Sequence, residues 1–272
     1  MLPRLIQIGS FYLPTYGVLV AAAFLTALWM AGKLGSRQGL NRDAVINLGV
    51  YCALAGIVGA KFFMIVIDPY YRKDPSQIFT LSTLQSAGIW YGGFILALVF
   101  AWFYMRREHL PFLKTCDVFA PGLAIGHGIG RLGCFAAGCC YGKPTHLPWA
   151  VTYTNPNANG APLGVPVHPT QLYEAGLEAL ICLYLYNRAK REHKEGSIIA
   201  LYLILAGLAR FFVEFLRFHD EANPLGGPLT LEQWISLAAC GAGFSLLYAA
   251  KDRQAAPAIT APREAKPRPA HR

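Results

Sequence analysis

The chain has 272 residues, 54% of them hydrophobic and only 14% charged, with a formal net charge of +9. Soluble domains carry about 25% charged residues, so this composition excludes a globule with a water-facing surface and indicates an all-α polytopic membrane protein. The positive charge does not imply nucleic acid as a partner, because the basic residues sit in short loops between apolar runs.

Seven apolar stretches have the length of roughly 17–25 residues that a bilayer requires. They lie at 12–32, 45–67, 87–105, 117–135, 169–188, 197–216 and 231–250. The first runs on from Thr15 with no small-residue cleavage site, so a removable signal peptide is not expected. It carries Tyr16-Gly17 at its outer end, and the third stretch carries Tyr91-Gly92-Gly93 near its start. Residues 68–86 mix polar and apolar positions around an Asp-Pro-Ser turn and read as an arm on the bilayer surface. Only the fourth stretch reads as broken, because it contains charge and is rich in glycine. No internal repeat accompanies it, unlike the paired broken segments of inverted-repeat transporters. The loop 143–168 is rich in Pro, Gly and Asn, with Trp149-Ala-Val-Thr-Tyr153 as a short strand.

Lysines and arginines set the orientation. Lys33, Arg37, Arg42, Arg106, Arg107, Lys114, Arg188, Lys190, Arg191, Lys194 and the basic residues from Lys251 onward fall on one side. The other side has Arg4, Arg72, Lys73, Lys143 and Arg217. The excess places the C-terminus in the cytoplasm and the N-terminus outside. Residues 1–251 then form a single integral-membrane domain with outer loops 68–86 and 143–168, and 252–272 form a disordered basic cytoplasmic tail.

Candidate chemistry gathers in four places. The first is His127-Gly-Ile-Gly-Arg131-Leu-Gly-Cys134, running on through Cys139-Cys140 to Gly142. Arginine at bilayer depth costs roughly 2.5–3.5 kcal/mol, so Arg131 needs a partner: an acidic neighbour, the interface, or a bound anion. His127 lies one turn away on the same helical face, and the glycines let a helix or headgroup approach. The second is Arg210-Phe-Phe-Val-Glu214-Phe-Leu-Arg217, where Arg210 and Glu214 either neutralise each other or leave guanidinium for a phosphodiester. The third is His168-Pro-Thr-Gln171-Leu-Tyr-Glu174, which also reads as an ordinary helix start. Tyr16 and Tyr91 make the fourth, and interfacial tyrosines are common anchors.

The chain has seven cysteines. Cys52, Cys182 and Cys240 lie in apolar stretches and act as small hydrophobes. Cys134, Cys139 and Cys140 do not follow a zinc pattern, since adjacent cysteines do not readily point at one ion. Inert packing or a structural disulfide is favoured over covalent catalysis for them.

Together these blocks resemble the prolipoprotein diacylglyceryl transferases of bacterial inner membranes. The family pattern Gly-Arg-x-Gly-Asn-Phe-x-Asn-x-Glu-x-x-Gly is matched by Gly130, Arg131, Gly133, Phe135 and Gly142. Residues 168–174, the trio Arg210, Glu214 and Arg217, Tyr16-Gly17 and Leu231–Ser236 fit further blocks, so the likeness covers about residues 10–250. The departures are Cys134 and Ala137 for two asparagines, Cys139 for a glutamate, Tyr91 for a histidine and Ala206 for a tyrosine.

The resemblance implies transfer of the diacylglyceryl group of phosphatidylglycerol to the thiol of a lipobox cysteine in a prolipoprotein signal peptide, with release of glycerol 1-phosphate. Arg131 and Arg210 would stabilise the leaving phosphate, Glu214 would orient Arg210, and His127 or Tyr91 would take the thiol proton. Tyr16, Gly142, His168, Gln171 and Arg217, with Arg131, would hold phosphatidylglycerol. Neither metal nor other cofactor is expected, and the setting implied is the multi-pass inner membrane. The competing readings are a phospholipid-binding or lipid-transport protein, a related transferase with a changed acceptor, and a thiol-redox membrane protein.

Overall fold

The computed structural model describes all residues except 1, 9, 10, 75, 77, 79, 81–87, 220–225, 252–254 and 257–272. Most of the tail expected to be disordered, and much of the arm expected at 68–86, lie outside the described residues. The chain opens with a hairpin of β1 (Arg4–Ile8) and β2 (Phe11–Pro14), which the apolar pattern did not indicate. Eight described helices follow in order. They are α1 (Thr15–Arg37), α2 (Arg42–Ile67), the short α3 (Pro69–Lys73), α4 (Trp90–Arg107), α5 (Phe112–Ala137), α6 (Thr170–Ala189), α7 (Ser197–Glu214) and α8 (Leu231–Ala249). Among the described residues α1, α2 and α7 are long and apolar enough to cross a membrane by length and composition. In the loop after α5, β3 (Val151–Thr152) pairs antiparallel with β4 (Pro166–Val167), so the strand expected at 149–153 forms in shortened form.

The chain divides into two compact units, residues 31–115 and residues 1–30 with 116–272. In the first, α2 and α4 touch through glycine. A Cβ on Gly59 would lie 2.6 Å from the Gly92 carbonyl oxygen, and one on Gly93 would lie 2.6 Å from that of Gly56. Helices in lipid gain from such close approach because packing replaces the absent hydrophobic drive. Gly92-Gly93 is therefore a packing pair in this unit. The turn into α2 is capped by Asn41, whose side chain accepts from Asp43 N and Ala44 N at 3.0 and 3.2 Å.

Helix α5, whose residues from Cys116 on belong to the second unit, is continuous from Phe112 to Ala137, with Pro121 inside it. The break expected in the fourth apolar stretch does not occur; its glycines are contact points. Gly122 lies against Ala27 of α1, Gly133 against Tyr16 and Leu19 of α1, and Gly128 against Ala175 and Glu178 of α6. The helix ends at Gly138 (φ +80°), whose N–H donates to the Cys134 carbonyl at 2.9 Å. Helices α7 and α8 pack in the same small-residue manner, Gly207 against Cys240 and Ser236 and Gly243 against Ala200. Cys240 and Cys182 are buried and Cys52 is half-buried, as packing residues would be. All seven cysteines are free, so of the two readings favoured for Cys134, Cys139 and Cys140, inert packing and a disulfide, the disulfide is not formed.

Helix α7 begins at Gly196, which has no side chain to cap it. Asp117 of α5, wholly buried, supplies the cap: Gly196 N donates to Oδ2 at 2.6 Å and Ile199 N to Oδ1 at 2.8 Å. Two orphan donors of a helix end are thus satisfied by a residue remote in sequence. Asp117→Ala is expected to cost about 1–2 kcal/mol, read as a lower melting temperature of the detergent-solubilised protein; unchanged melting would show the cap to be dispensable.

Candidate active site

Three helix ends meet at the site: the C-terminal turns of α5 and α7 and the first turns of α6. On α5, His127 and Arg131 share a face; on α6, Glu174 and Glu178 share another. The two helices run antiparallel, so the ladders match rung by rung. Arg131 Nε lies 2.5 Å from Glu174 Oε2, and His127 Nδ1 lies 2.9 Å from Glu178 Oε1. Gly128, between the two rungs on α5, lets the α6 backbone come close enough for both.

Arg131 Nε–H also donates to His127 Nε2 at 3.2 Å. An imidazole nitrogen that accepts carries no proton, so the ring proton of His127 sits on Nδ1 and is donated to Glu178. Glu178 fixes the ring's tautomer and orientation. Its second oxygen, Oε2, is buried with no hydrogen-bond partner among the described residues.

Glu174 has a second cation. Arg210 NH1 of α7 donates to its Oε1 at 2.7 Å, so two guanidiniums from different helices share one carboxylate, one on each oxygen. Arg210 NH2 then reaches Glu214 Oε2 at 2.9 Å. Glu214 is also met by Arg217 NH1 at 3.6 Å, His219 Nε2 at 2.8 Å and the Thr230 hydroxyl at 3.3 Å. The pairing reading of the arginines is realised: Arg131 and Arg210 are paired to acids and converge on one carboxylate. Thr230 also caps α8 in a reciprocal box with Gln233, so the first turn of α8 is fixed against Glu214.

The segment after α5 is stitched to this cluster by backbone. Gly142 N donates to the His168 carbonyl at 2.9 Å, and Lys143 N to the Leu216 carbonyl at 2.8 Å. A Cβ on Gly142 would fall 2.6 Å from His168 Cβ and 2.7 Å from the Leu216 oxygen, so only glycine fits this three-way junction. Gln171 is wholly buried and its amide donates to the Cys139 carbonyl at 2.6 Å and the Tyr153 hydroxyl at 3.0 Å. Thr170 donates to the Cys140 carbonyl at 2.9 Å. His168 turns Nδ1 to the Tyr173 hydroxyl at 3.4 Å, which also accepts from Trp149 Nε1 at 2.8 Å.

Two cavities flank the charges. One of about 680 Å³ is bounded by Tyr16, Cys134, Cys139, Cys140 and the loop 156–159. The other, about 520 Å³, is bounded by Glu214, Arg217, His219, Lys143 and Thr230.

The chain matches the family model described as prolipoprotein diacylglyceryl transferase over residues 3–249. This chain belongs to the prolipoprotein diacylglyceryl transferase family. Among its relatives, a phosphatidylglycerol–prolipoprotein diacylglyceryl transferase of Clostridium tetani is 33% identical over 237 residues, covering 87% of this chain and 93% of that protein. A protein of the same name from Finegoldia magna is 34% identical, covering 85% and 88%. One from Geobacter sulfurreducens is 29% identical, covering 94% and 97%.

Within this diacylglyceryl transferase family member, the structure joins Arg131, Arg210, His127, Glu214 and Arg217 in one network. Tyr16 borders the cysteine-side cavity through its contact with Gly133. Gln171, His168 and Gly142 hold backbone and loop around it. Tyr91 belongs to the 31–115 unit, exposed in the first turn of α4. Sequence reasoning missed the bridging role of Glu174, and missed Glu178, Thr230 and His219. The matching i,i+4 spacing of His127/Arg131 and Glu174/Glu178 was a usable signal, because buried charges are almost always paired. His219 and Thr230 had no such signature.

The shared carboxylate yields one expectation. Glu174→Gln keeps the shape but leaves two guanidiniums short of a counter-charge. Breaking a buried pair in this way costs about 3–5 kcal/mol, and the variant should melt at a lower temperature and lose most of its transfer activity. Wild-type melting and turnover would show that Glu174 does not hold the pair.

Tyr153 gives a second. Burial pushes its hydroxyl up to about 12, with the bond from Gln171 opposing that in part. The folded value exceeds the unfolded value of about 10, so the stability it brings is complete below about pH 10 and is lost as pH rises toward about 12. Tyr153→Phe should flatten the decline in melting temperature across that alkaline window; an identical decline in both proteins would assign it to other groups.

Proposed function

We propose that this protein transfers the diacylglyceryl group of phosphatidylglycerol to the cysteine thiol of a prolipoprotein lipobox, as the names of its relatives describe. The observation that carries the reading is the convergence of Arg131 and Arg210 on Glu174. Two guanidiniums held side by side by one carboxylate are preorganised for a second, exchangeable anion such as a phosphodiester. The first turns of α6 and α8 face the same cluster and add their positive helix ends.

Binding the phosphate here aligns the glyceryl carbon for attack by the incoming thiolate. The new C–S bond forms as the C–O bond to phosphate breaks, and glycerol 1-phosphate leaves with the electron pair. The developing charge on the phosphate oxygen is met by fixed donors in a water-poor site, where such contacts count most. His127 is the proton acceptor we assign. Its Nε2 is the acceptor nitrogen, and Glu178 at Nδ1 supports the imidazolium that would form. Arg131 must release Nε2 for this, which phosphate entry on the guanidinium would promote. Glu214, Arg217 and Thr230 orient Arg210, while Tyr16 borders the path of an acyl chain or peptide.

The topology we infer has seven spans, with the N-terminus outside and the C-terminus in the cytoplasm. Residues 1–251 are the membrane-embedded transferase and the basic tail is cytoplasmic. The arginine cluster then faces the periplasmic border of the bacterial inner membrane, where signal peptides of exported prolipoproteins emerge.

The deciding experiment supplies phosphatidylglycerol and a lipobox peptide to purified enzyme and follows both thioether and glycerol 1-phosphate. Arg131→Lys, which keeps the charge but loses the planar fork, should lower turnover by about 10²–10³-fold. Wild-type turnover in that variant would remove the clamp. Phosphatidylglycerol binding without glycerol 1-phosphate release, in the unmodified protein, would favour a lipid-binding role instead.

A further inference from the structure

By sequence alone, adjacent cysteines such as Cys139 and Cys140 do not readily point at one ion. The turn after α5 overturns that expectation. Gly138 at φ +80° and Cys140 at φ +61° reverse the chain, and the three sulfurs lie within 4.8 Å of one another. The carbonyls of Cys139 and Cys140 are pinned by Gln171 and Thr170 of α6, so the backbone that presents two of the thiols is fixed. The Cys139 thiol makes a long contact, 3.7 Å, to the Cys134 carbonyl and stands among the other two sulfurs.

We propose that Cys134, Cys139 and Cys140 bind one thiophilic d10 cation, zinc(II) or copper(I), through three thiolates. With metal–sulfur bonds near 2.3 Å, sulfurs around one ion stand about 4 Å apart, so small side-chain rotations close the site. Thiolate donors select these soft and borderline ions over magnesium or calcium. The cavity of about 680 Å³ borders all three cysteines, giving an entry path and room for a solvent ligand. Charge fits as well. Three thiolates around a divalent ion leave one net negative charge, and around a monovalent ion two. Arg131 and Arg217 both exert an attractive field at Cys140. Binding converts three thiols to thiolates and releases three protons to solvent, so affinity rises with pH. The site does not depend on the transferase reading.

Cadmium(II) is the probe. Reduced full-length protein in detergent, titrated with cadmium, should develop a thiolate charge-transfer band that saturates at one ion per chain. The combined variant Cys134→Ser, Cys139→Ser, Cys140→Ser should lose the band while retaining the wild-type melting profile. The single variant Cys140→Ser covers the case in which the triple variant does not fold; it should bind at least about tenfold more weakly, the loss seen even when a supporting partner of a metal ligand is removed. Zinc(II) and copper(I) should each compete with cadmium, the stronger competitor identifying the preferred ion. Absence of the band in wild type, a full band in the folded triple variant, unchanged affinity in Cys140→Ser, or failure of both ions to compete would each overturn the assignment.

Discussion

The site depends on one carboxylate held between two guanidiniums. Glu174 has an oxygen for Arg131 of α5 and an oxygen for Arg210 of α7. None of the three groups would be tolerable alone at this depth, because an unpaired buried charge costs several kcal/mol. Each therefore requires the other two, and their helices are locked in rotation and in depth. Glu214 extends the same logic to Arg217, His219 and the cap of α8. The result is a charge-balanced lattice in which few groups can move independently.

Such a lattice needs helices that approach closely, and the glycines of α5 provide that. One set faces α1 and another faces α6, so the helix is gripped from two sides at the turns that carry His127 and Arg131. The same residues that read as a break in the apolar stretch are the points at which neighbouring helices come close enough to pair its charges. At the far end of α5 Asp117 caps α7, so both ends of this helix are tied to its neighbours by polar contacts.

A paired arginine is not a spent one. Arg131 commits Nε to its protein partners, and a guanidinium has further donors to offer. The acids set the geometry and moderate the charge, and in the mechanism we propose a substrate phosphate completes the coordination. Cavities on both flanks, one lined by cysteines and Tyr16 and one by Glu214 and Arg217, are consistent with two substrates meeting over one clamp. The enzyme-family membership and the internal pairing of the arginines are thus compatible findings.

The apolar pattern by itself located the long helices to within a few residues, because bilayer length and hydropathy are local properties of the chain. It also singled out Arg131, Arg210, Glu214 and His127, which the structure joins in ion pairs, since charge inside an apolar run stands out wherever it occurs. What it left open was partnership. Arg210 lies one turn from Glu214, so local spacing pairs them, yet its second partner is Glu174, which is remote in sequence and looked like part of a helix start. Glu178, His219 and Thr230 acquire their roles only when helices meet. The convergence of Cys139 and Cys140 depends on two left-handed backbone residues and on anchors from α6. Contacts of that kind arise from how separate segments pack, and one-dimensional spacing carries no record of which helix lies against which.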